Sequence, residues 1–262
     1  MLWMPDEGGG TTGRDSSWQP SVMDAAAFES VSTWKSPVPP PASGDRARVL
    51  AEIRDRVLHL SPGRLRVIID GRTGSGKTTL ADELAAVVRA GGRPTLRASL
   101  DDFKRTWAHA RRHGYDRESG EGYYRNTPDV ISTRDLLLDP AGPTGSGVVV
   151  LCAHDPLTGD DHRATTVTAP SDAVLIVDSV FGMRPEYDEF WDHRIWVEVD
   201  RDVALERGIE RDVALEGRVE AERLHRERFQ AGEEIYLAEV DPRSKADTVI
   251  ENTTIDCPVI LR

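Results

Sequence analysis

The fold of this chain is decided by residues 67–80, Val67-Ile68-Ile69-Asp70-Gly71-Arg72-Thr73-Gly74-Ser75-Gly76-Lys77-Thr78-Thr79-Leu80. Four of these residues fill the fixed positions of the pattern G-x-x-x-x-G-K-[ST], namely Gly71, Gly76, Lys77 and Thr78. The glycines allow backbone angles that a Cβ would forbid, so that successive N–H groups can point at phosphate oxygens. The stretch therefore predicts a Walker A phosphate-binding loop formed by residues 71–79.

The flanking sequence supports this interpretation. A strand-like run, Leu65 to Asp70, precedes the loop, and the apolar residues of Leu80 to Val88 recur at helical spacing after it. A helix that begins near Gly76 adds its positive dipole end to the loop. We expect Lys77 to reach the β- and γ-phosphates of ATP and the Thr78 hydroxyl to hold Mg²⁺. The alternative is a glycine-rich turn without a ligand.

Composition excludes several classes of protein. The 262 residues contain 39% hydrophobic and 30% charged residues, as in a soluble globular protein of one or two domains. The net charge of −12, from 45 acidic and 33 basic residues, argues against a sequence-independent nucleic-acid binder. Cys152 and Cys257 are far apart and form no C-x-x-C pair, which predicts neither a disulfide framework nor a zinc site.

Targeting signals are not apparent in the sequence. The N-terminus has no basic segment followed by an apolar region, and no apolar run approaches the roughly 18 residues of a membrane span. We therefore expect a cytoplasmic protein without a membrane partner.

Residues 1–43 differ in composition from the rest of the chain. They are rich in glycine and serine and include Pro37-Val38-Pro39-Pro40-Pro41, so they cannot bury enough apolar surface to offset chain entropy. We predict a disordered extension followed by one domain over residues 44–262. Trp3, Trp18 and Trp34 are unusual for such a tail, and their docking onto the body or onto a partner is the alternative.

Two predicted strands end in carboxylates. Thr95 to Leu100 is followed by Asp101 and Asp102, and the apolar run Ala173 to Val177 is followed by Asp178. In open α/β sheets, ligands bind at the carboxyl ends of parallel strands. Asp178 takes the Walker B position, where it can organise Mg²⁺ directly or through water. The alternatives are a helix N-cap at Asp101-Asp102 and a simple turn at Asp178.

The region of about 101–170 is predicted to bind the second substrate. Its first part, Trp107 to Thr127, is dense in arginine, histidine, tyrosine and glycine and has no clear period; a specificity element and a solvated loop are both consistent with it. Asp129 to Leu138 reads as a helix. Strand, glycine-containing turn and strand over Val148 to Thr168 predict a β-hairpin, and nothing in its histidines and aspartates singles out a metal site.

A charged helical region of about 201–228 follows the last long strand. Arg207 and Arg211 are four residues apart and therefore project two guanidiniums from one helix face. Solvated ion pairs are the alternative for such a face. The N-K-x-D signature that reads guanine is missing from the sequence, which weakens a GTPase interpretation.

From Arg64 to Asn252 the chain resembles the uridine kinase-like branch of the P-loop kinases, which includes phosphoribulokinase and pantothenate kinase. Its loop Asp70 to Thr79 is similar to the branch's D-G-x-S-G-S-G-K-T-T, Ser99 to Phe103 to its D-[SD]-F element, and Val177 to Phe181 to its apolar strand with an acid. Ala204 to Asp212 resembles its lid helix. The resemblance implies a three-layer αβα sandwich with a mainly parallel central sheet.

The resemblance also implies roles for residues. Asp101 would act on the acceptor hydroxyl, with Asp102 as the other candidate base, and Lys77, Arg207 and Arg211 would stabilise the transferred phosphoryl group. Four residues would bind the acceptor: Asp102, Tyr124, Asn126 and Asp155. Asn126 stands where the branch has an acidic ribose contact, and His154-Asp155 replaces an aromatic-plus-Asp hairpin start. These departures leave the acceptor unnamed.

The sequence therefore predicts an ATP- and Mg²⁺-dependent kinase that phosphorylates a hydroxyl of a nucleoside, uridine- or cytidine-like, or of a related metabolite. An ATP-binding regulatory or assembly protein without a small-molecule acceptor is the alternative. Homo-oligomer formation is left open.

Overall fold

The computed structural model describes residues 25–35, 41–42 and 44–262. Its strands are β1 Ala27–Glu29, β2 Leu65–Gly71, β3 Thr95–Ser99, β4 Val148–Val149, β5 Val167–Thr168, β6 Val174–Ser179, β7 His193–Glu198, β8 Thr248–Glu251 and β9 Val259–Ile260. Its α-helices are α1 Gly44–Leu60, α2 Lys77–Ala90, α3 Trp107–His113, α4 Gly120–Asn126, α5 Val130–Thr133, α6 Asp139–Ala141, α7 Arg201–Glu216, α8 Arg218–Arg223, α9 Gln230–Val240 and α10 Pro242–Lys245. Two π-helical turns, Arg134–Leu138 and Leu224–Phe229, join α5 to α6 and α8 to α9.

The central sheet has the order β1-β3-β6-β2-β7-β8-β9 in the described part of the chain. All neighbours pair in parallel except β8 and β9, which are antiparallel. β2 lies at the middle, between β6 and β7. The carboxyl ends of β2, β3 and β6 therefore meet at one edge of the sheet, where the glycine-rich loop and the two predicted acidic strand ends come together.

Side chains along the central strands point alternately to the two faces of the sheet, so a hydrophobic core forms on each face. Val67 and Ile69 of β2 pack with α1 and α2, whereas Ile68 points to the opposite core. That second core contains aromatic residues from α4 and α9. Helices therefore cover both faces of a mainly parallel sheet, and the predicted three-layer αβα sandwich is confirmed.

Most predicted elements lie where the periodicity placed them. The amphipathic helix predicted from Asp45 to Leu60 is α1, and the helix predicted from Asp129 to Leu138 continues through a π-helical turn to Ala141. The hairpin forms as the two-residue pair β4 and β5, with a further bridge between His154 and Asp161. The predicted lid region is broken at Gly217, whose φ of 78° ends α7.

Part of the expected N-terminal extension is ordered against the domain. β1 pairs in parallel with β3, from Ala27 opposite Thr95 to Glu29 opposite Arg97, so the prediction of disorder was wrong for this stretch. The composition of residues 1–43 gave no sign of this strand, because three residues can join a sheet through backbone hydrogen bonds alone. The expectations for Trp3 and Trp18 fall outside the described residues.

Two further expectations concern cysteines and membrane spans. Cys152 is buried and Cys257 is exposed, and both are free thiols. Among the residues with described positions, the helices are too short or too polar to cross a bilayer.

Candidate active site

The phosphate-binding loop runs from the end of β2 to the start of α2. Gly74 and Gly76 have φ values of 82° and 85°, in the left-handed region that favours glycine. A Cβ on Gly74 would also clash with the backbone carbonyl of Ala204 in α7. Gly71 serves a different purpose, because a Cβ there would lie 2.8 Å from the carbonyl oxygen of Val197. The glycines thus shape the loop and allow it to pack directly on β7 and α7.

Backbone donors are concentrated at the end of this loop. α2 begins at Lys77, and the N–H of Leu80 donates to the carbonyl of Gly76 at 3.0 Å. The N–H groups of the first helical turn before Leu80 have no intrahelical acceptor. Together with the helix dipole they form a site suited to a phosphate group.

The Lys77 side chain is buried beside the loop and is only 8% exposed. Its Nζ lies 3.4 Å from the carbonyl oxygen of Arg72. Burial lowers the pKa of Lys77, and the nearby carboxylates of Asp178 and Asp101 oppose part of that shift. A buried ammonium next to free backbone donors is placed to meet a phosphate anion.

Thr78 and Asp178 are in direct contact. The Thr78 hydroxyl donates to Asp178 Oδ2 at 2.7 Å, and Arg97 of β3 pairs with Asp178 Oδ1 at 2.7 Å. Arg97 also pairs with Asp82 of α2 at 2.7 Å. A threonine hydroxyl and a carboxylate are oxygen donors of the kind Mg²⁺ uses in phosphate sites, where phosphates and waters complete the coordination. These two residues therefore fit the ion that the sequence predicts.

Asp101 follows β3 in a short 3₁₀ turn, Leu100–Phe103. Its Oδ1 forms an ion pair with Lys104 Nζ at 2.7 Å, and its side chain is 37% exposed. Desolvation alone would raise the pKa of Asp101, but Lys104 and, more weakly, Lys77 and Arg211 hold it below the usual value. Asp101 is therefore an ionised carboxylate in direct contact with one cation, Lys104.

Asp102 differs from Asp101 in its surroundings. Its side chain is 2% exposed, and its Oδ2 accepts a hydrogen bond from the Ser30 hydroxyl at 2.7 Å. Burial raises the pKa of Asp102 to about 7, although hydrogen bonds from Ser30 and Ser32 lower it. The neighbouring carboxyls thus have opposite pKa shifts.

The two arginines of α7 have different partners. Arg211 forms hydrogen bonds to Asp212 at 2.7 and 2.9 Å, and Asp212 also contacts the buried His225 at 2.8 Å. Arg207 instead donates to the backbone carbonyls of Asn252 and Thr253 at 3.2 and 2.5 Å. Arg211 lowers the pKa of both Asp101 and Lys77 through its charge, whereas Arg207 holds the loop after β8.

The predicted acceptor-binding residues are dispersed. Tyr124 packs in the aromatic core, where its ring is 5.1 Å from that of Phe181 and lies under Arg184. Asn126 donates to the carbonyl of Asp116 at 2.7 Å.

The fourth predicted acceptor-binding residue, Asp155, already accepts four hydrogen bonds. Thr33 donates two of them, at 2.6 and 3.0 Å, and the backbone N–H groups of Leu157 and Thr158 donate the others. These bonds outweigh desolvation and lower the pKa of Asp155. Asp155 thus organises its own turn and fixes the N-terminal segment.

Tyr123, beside Tyr124, faces the charged cluster. Lys104 Nζ lies 5.3 Å from its ring centroid, and Arg228 lies over the same ring at 4.6 Å. Burial raises the pKa of the Tyr123 phenol. Tyr123 thus faces cationic side chains, whereas Tyr124 packs in the aromatic core. The sequence could not distinguish them, because it showed no helical period that would tell which face each side chain occupies.

Sequence reasoning also missed the buried groups that support the loop. Asp70 Oδ2 accepts from the Tyr236 hydroxyl at 2.5 Å and from the N–H groups of Gly182 and Met183. Glu233 accepts from the N–H of Thr73 at 2.7 Å. Both supporting side chains, Tyr236 and Glu233, come from α9, more than 150 residues along the chain, so local spacing carried no signal for them.

A third support comes from the far end of the chain. Asn252 Nδ2 donates to the carbonyl of Ser75 at 2.8 Å, while its Oδ1 accepts from Arg46. Arg46 in turn pairs with Glu83 of α2, and both side chains are buried. The remaining loop cation, Arg72, pairs with Glu234 at 3.1 Å. The loop is thus held from α1, α9 and the segment after β8.

The glycine-rich loop at the end of the central strand, with carboxylates at the ends of β3 and β6, belongs to a fold like that of the uridine kinase-like P-loop kinases. The chain is similar to the solved structure of a possible uridine kinase from Bacillus stearothermophilus, with 25% identity and a TM-score of 0.60 over 78% of this chain and 97% of that one. It is also similar to a protein provisionally named a fructose transport system kinase from Silicibacter sp. TM1040, with 24% identity, a TM-score of 0.60, and coverage of 72% and 94%.

A third similar structure, the YGR205w protein, shares the fold at 13% identity, with a TM-score of 0.53 and coverage of 81% of this chain and 95% of that one. No protein-family model matches the sequence, and no curated protein matches it. The structural similarities support a small-molecule kinase as the general class.

Proposed function

We propose that this protein transfers the γ-phosphoryl group of ATP to a hydroxyl of a nucleoside, uridine- or cytidine-like, or of a related small metabolite. The observation that carries the proposal is the position of Asp101. Its carboxylate lies at the end of β3, paired with Lys104 and close enough to Lys77 and Arg211 for both to lower its pKa. A carboxylate at this position favours a kinase, because phosphoryl transfer to an alcohol uses an acidic side chain that orients the acceptor hydroxyl.

Catalysis of phosphoryl transfer depends mainly on positioning and on neutralising charge. The loop N–H groups and Lys77 would bind the β- and γ-phosphates. Thr78 and Asp178 would hold Mg²⁺, which when bound neutralises charge on the phosphate oxygens. Arg211, fixed by Asp212, would meet the transferred group.

Asp101 would accept a hydrogen bond from the acceptor hydroxyl and orient its oxygen for attack on the γ-phosphorus. Because its pKa is held low, Asp101 is ionised at neutral pH and can take the proton only as the new P–O bond forms. Lys104 keeps the carboxylate in place before the acceptor arrives.

The test is acceptor-dependent release of ADP in the presence of Mg²⁺. Nucleosides and phosphorylated sugars are screened singly, and the product is examined by ³¹P NMR for a new phosphate ester. We expect at least one acceptor to raise ADP release and to gain one phosphoryl group per ADP. ATP turnover that no acceptor changes would instead favour an ATP-binding regulatory or assembly protein.

A further inference from the structure

Two of the buried arginines lack an acidic partner. The buried arginine side chains in the described part of the chain are Arg46, Arg97, Arg117, Arg184 and Arg228. The first, second and fourth of these each form an ion pair with a carboxylate. Arg117 and Arg228, called here the arginine pair, form no ion pair with any residue that the structure describes. A buried cation without a countercharge is costly, and perturbed charges of this kind cluster at functional sites.

The two members of the arginine pair lie next to each other. Arg228 Nε donates to the backbone carbonyl of Arg117 at 2.8 Å, and Arg117 donates to the backbone carbonyl of Arg105. Arg117 Nε is buried and has no hydrogen-bond partner among the described residues. Both guanidiniums lie against the ring of Trp107, at 4.5 and 5.4 Å from its centroid. Burial and the charge of Arg228 lower the pKa of Arg117 to about 10.

The acids that act on the arginine pair do not neutralise it. Burial lowers the pKa of Arg228, and the charges of Asp116 and Glu118 oppose only part of that shift. Asp116 is occupied within its own turn, where it accepts hydrogen bonds from the Ser119 hydroxyl and from the N–H groups of Glu118 and Ser119. The arginine pair therefore keeps positive charge that these side chains leave uncompensated.

Tyr123 connects the arginine pair to the candidate active site. The guanidinium of Arg228 lies 4.6 Å from the centroid of the Tyr123 ring, and Lys104 Nζ lies 5.3 Å from the same centroid. Lys104 in turn pairs with Asp101 at 2.7 Å, and the side chains of Lys104 and Asp101 are 23% and 37% exposed. Cationic groups thus extend from the carboxylate that would meet the acceptor hydroxyl to the arginine pair.

We propose that the acceptor alcohol carries an anionic group, a phosphate or a carboxylate, and that Arg117 and Arg228 bind this group while the hydroxyl meets Asp101. The inference rests on the function proposed above and narrows it from neutral nucleosides to anionic alcohols. A guanidinium can donate two parallel N–H groups to either kind of anion. The bound anion would supply the countercharge that the arginine pair lacks, whereas a neutral nucleoside would not.

The charge of the surrounding segment favours the same kind of ligand. Residues 104–117 contain five lysines or arginines and a single acid, in a chain whose net charge is −12. A local positive field in a negative protein attracts anionic molecules and raises their concentration near the site. The insertion after β3 is therefore suited to an anionic second substrate.

The experiment compares alcohols that differ in an anionic group. The pairs are ribose 5-phosphate with ribose, orotidine, which is uridine with a carboxylate on its base, with uridine, and glycerate with glycerol. Each is titrated by calorimetry into the unchanged protein in the presence of Mg²⁺ and a non-hydrolysable ATP analogue. We expect at least one anionic member to bind about tenfold tighter or more than its neutral partner, as hydrogen bonds to a charged group allow. The phosphate and carboxylate pairs distinguish the two anions.

The same titrations are repeated with Arg117→Gln, Arg228→Gln and Arg228→Lys. Glutamine removes the charge, so both glutamine variants should lose most of the preference for the anionic member. Lysine keeps the charge without the planar donor pair, so Arg228→Lys should retain part of the preference. Arg112→Gln, at an exposed arginine of α3, is the matched control and should behave like the unchanged protein. Melting temperatures show which variants are folded.

The unchanged protein alone can overturn the inference, either by binding charged and neutral members equally or by binding none of the anionic alcohols. An unaltered preference in a folded Arg228→Gln protein would also overturn it. So would a loss of affinity for the ATP analogue in that variant, which would assign the arginine to the nucleotide.

A final step replaces the analogue with ATP and examines the product by ³¹P NMR. Binding of an anionic alcohol that depends on Arg228 but yields no phosphate ester would sustain the anion site and reject the kinase function. Ester formation on a neutral alcohol, at equal rates in the unchanged protein and in Arg228→Gln, would sustain the kinase function and reject the anion site.

Discussion

The hydroxyl of Ser30 donates a 2.7 Å hydrogen bond to the buried carboxyl of Asp102, 72 residues further along the chain. This contact joins a segment outside the recognisable kinase sequence to the most perturbed acid at the end of β3. Asp102 therefore responds both to the docking of residues 30–34 and to the electrostatics of the site.

The first prediction concerns stability as a function of pH. The pKa of Asp102 is about 7 when folded, against 3.8 for an ordinary aspartate, so the folded state holds the proton more tightly. Between these values the folded state binds more protons, and this group's contribution to the free energy of unfolding falls as pH rises. In Asp102→Asn that fall should be missing.

Urea unfolding at pH 5 and pH 8 measures this change in the free energy of unfolding. The unchanged protein should lose more stability between the two pH values than Asp102→Asn does. The exposed carboxylate of Asp256 provides the control Asp256→Asn, which should follow the unchanged protein. Parallel pH profiles for Asp102→Asn and the unchanged protein would contradict the raised pKa.

The second prediction concerns Lys77. Lys77→Ala removes the buried ammonium expected at the β- and γ-phosphates, so ATP turnover should fall by orders of magnitude. The melting temperature should change little, because burial disfavours the charge that is removed. Arg48→Ala, on the exposed face of α1, is the matched cation control. Near-normal turnover by a folded Lys77→Ala protein would show that the loop has another role.

The third prediction separates a kinase from a nucleotide binder. Asp101→Asn keeps the size of the side chain but removes its charge and basicity. ATP affinity by calorimetry should be nearly unchanged, while acceptor-dependent turnover should fall roughly 10²-fold or more, as on loss of a general base. If Asp102→Asn lost turnover instead, Asp102 would be the base. A loss of ATP affinity in Asp101→Asn would place that carboxylate at the metal.

The fourth prediction concerns truncation of the N-terminus. Deletion of residues 1–24 should leave stability and turnover unchanged, because a stretch of that composition has too little apolar surface to bury. Deletion of residues 1–35 removes β1 and the donors to Asp102 and Asp155, so the melting temperature should drop by several degrees relative to the shorter deletion. Equal melting temperatures for the two truncated proteins would mean that residues 25–35 contribute nothing to stability.

The fifth prediction concerns the support beneath the phosphate-binding loop. Tyr236→Phe removes the hydroxyl that donates to Asp70 and should destabilise the fold by about 1–3 kcal/mol, the cost of leaving a buried polar group short of a partner. It should also raise the pKa of Asp70 above its value of about 6, because burial raises that pKa and the Tyr236 hydrogen bond lowers it. Tyr115→Phe, at an exposed phenol, is the control for chemical denaturation.

Local pattern was enough to predict the centre of the fold. β2, the glycine-rich loop, α2 and β6 each have a clear apolar period or a fixed motif, and all of them form as expected. The carboxylates of Asp101 and Asp178 follow because the ends of parallel strands converge at one sheet edge. The sequence therefore predicted that the loop and these two strand ends lie at the same edge of the sheet, and the strand order agrees.

Long-range contacts explain what the sequence did not reveal. Ser30 and Thr33 meet acids 72 and 122 residues away, and Tyr236 meets an acid 166 residues away, so their roles depend on the assembled sheet. Spacing placed Arg207 and Arg211 on one helix face, but it could not show that nearby carbonyls and Asp212 would divide them. Likewise, it could not distinguish Tyr123 from Tyr124.

The shortness of the outermost strands has a consequence for self-association. An exposed edge strand has a row of unpaired N–H and C=O groups with which a strand of a second chain can pair. Here the five-residue β3 is shielded by the three-residue β1, and β8 is shielded by the two-residue β9. Such short borders disfavour dimers made by extending the sheet, and proteolytic loss of β1 would expose β3 as a template for aggregation.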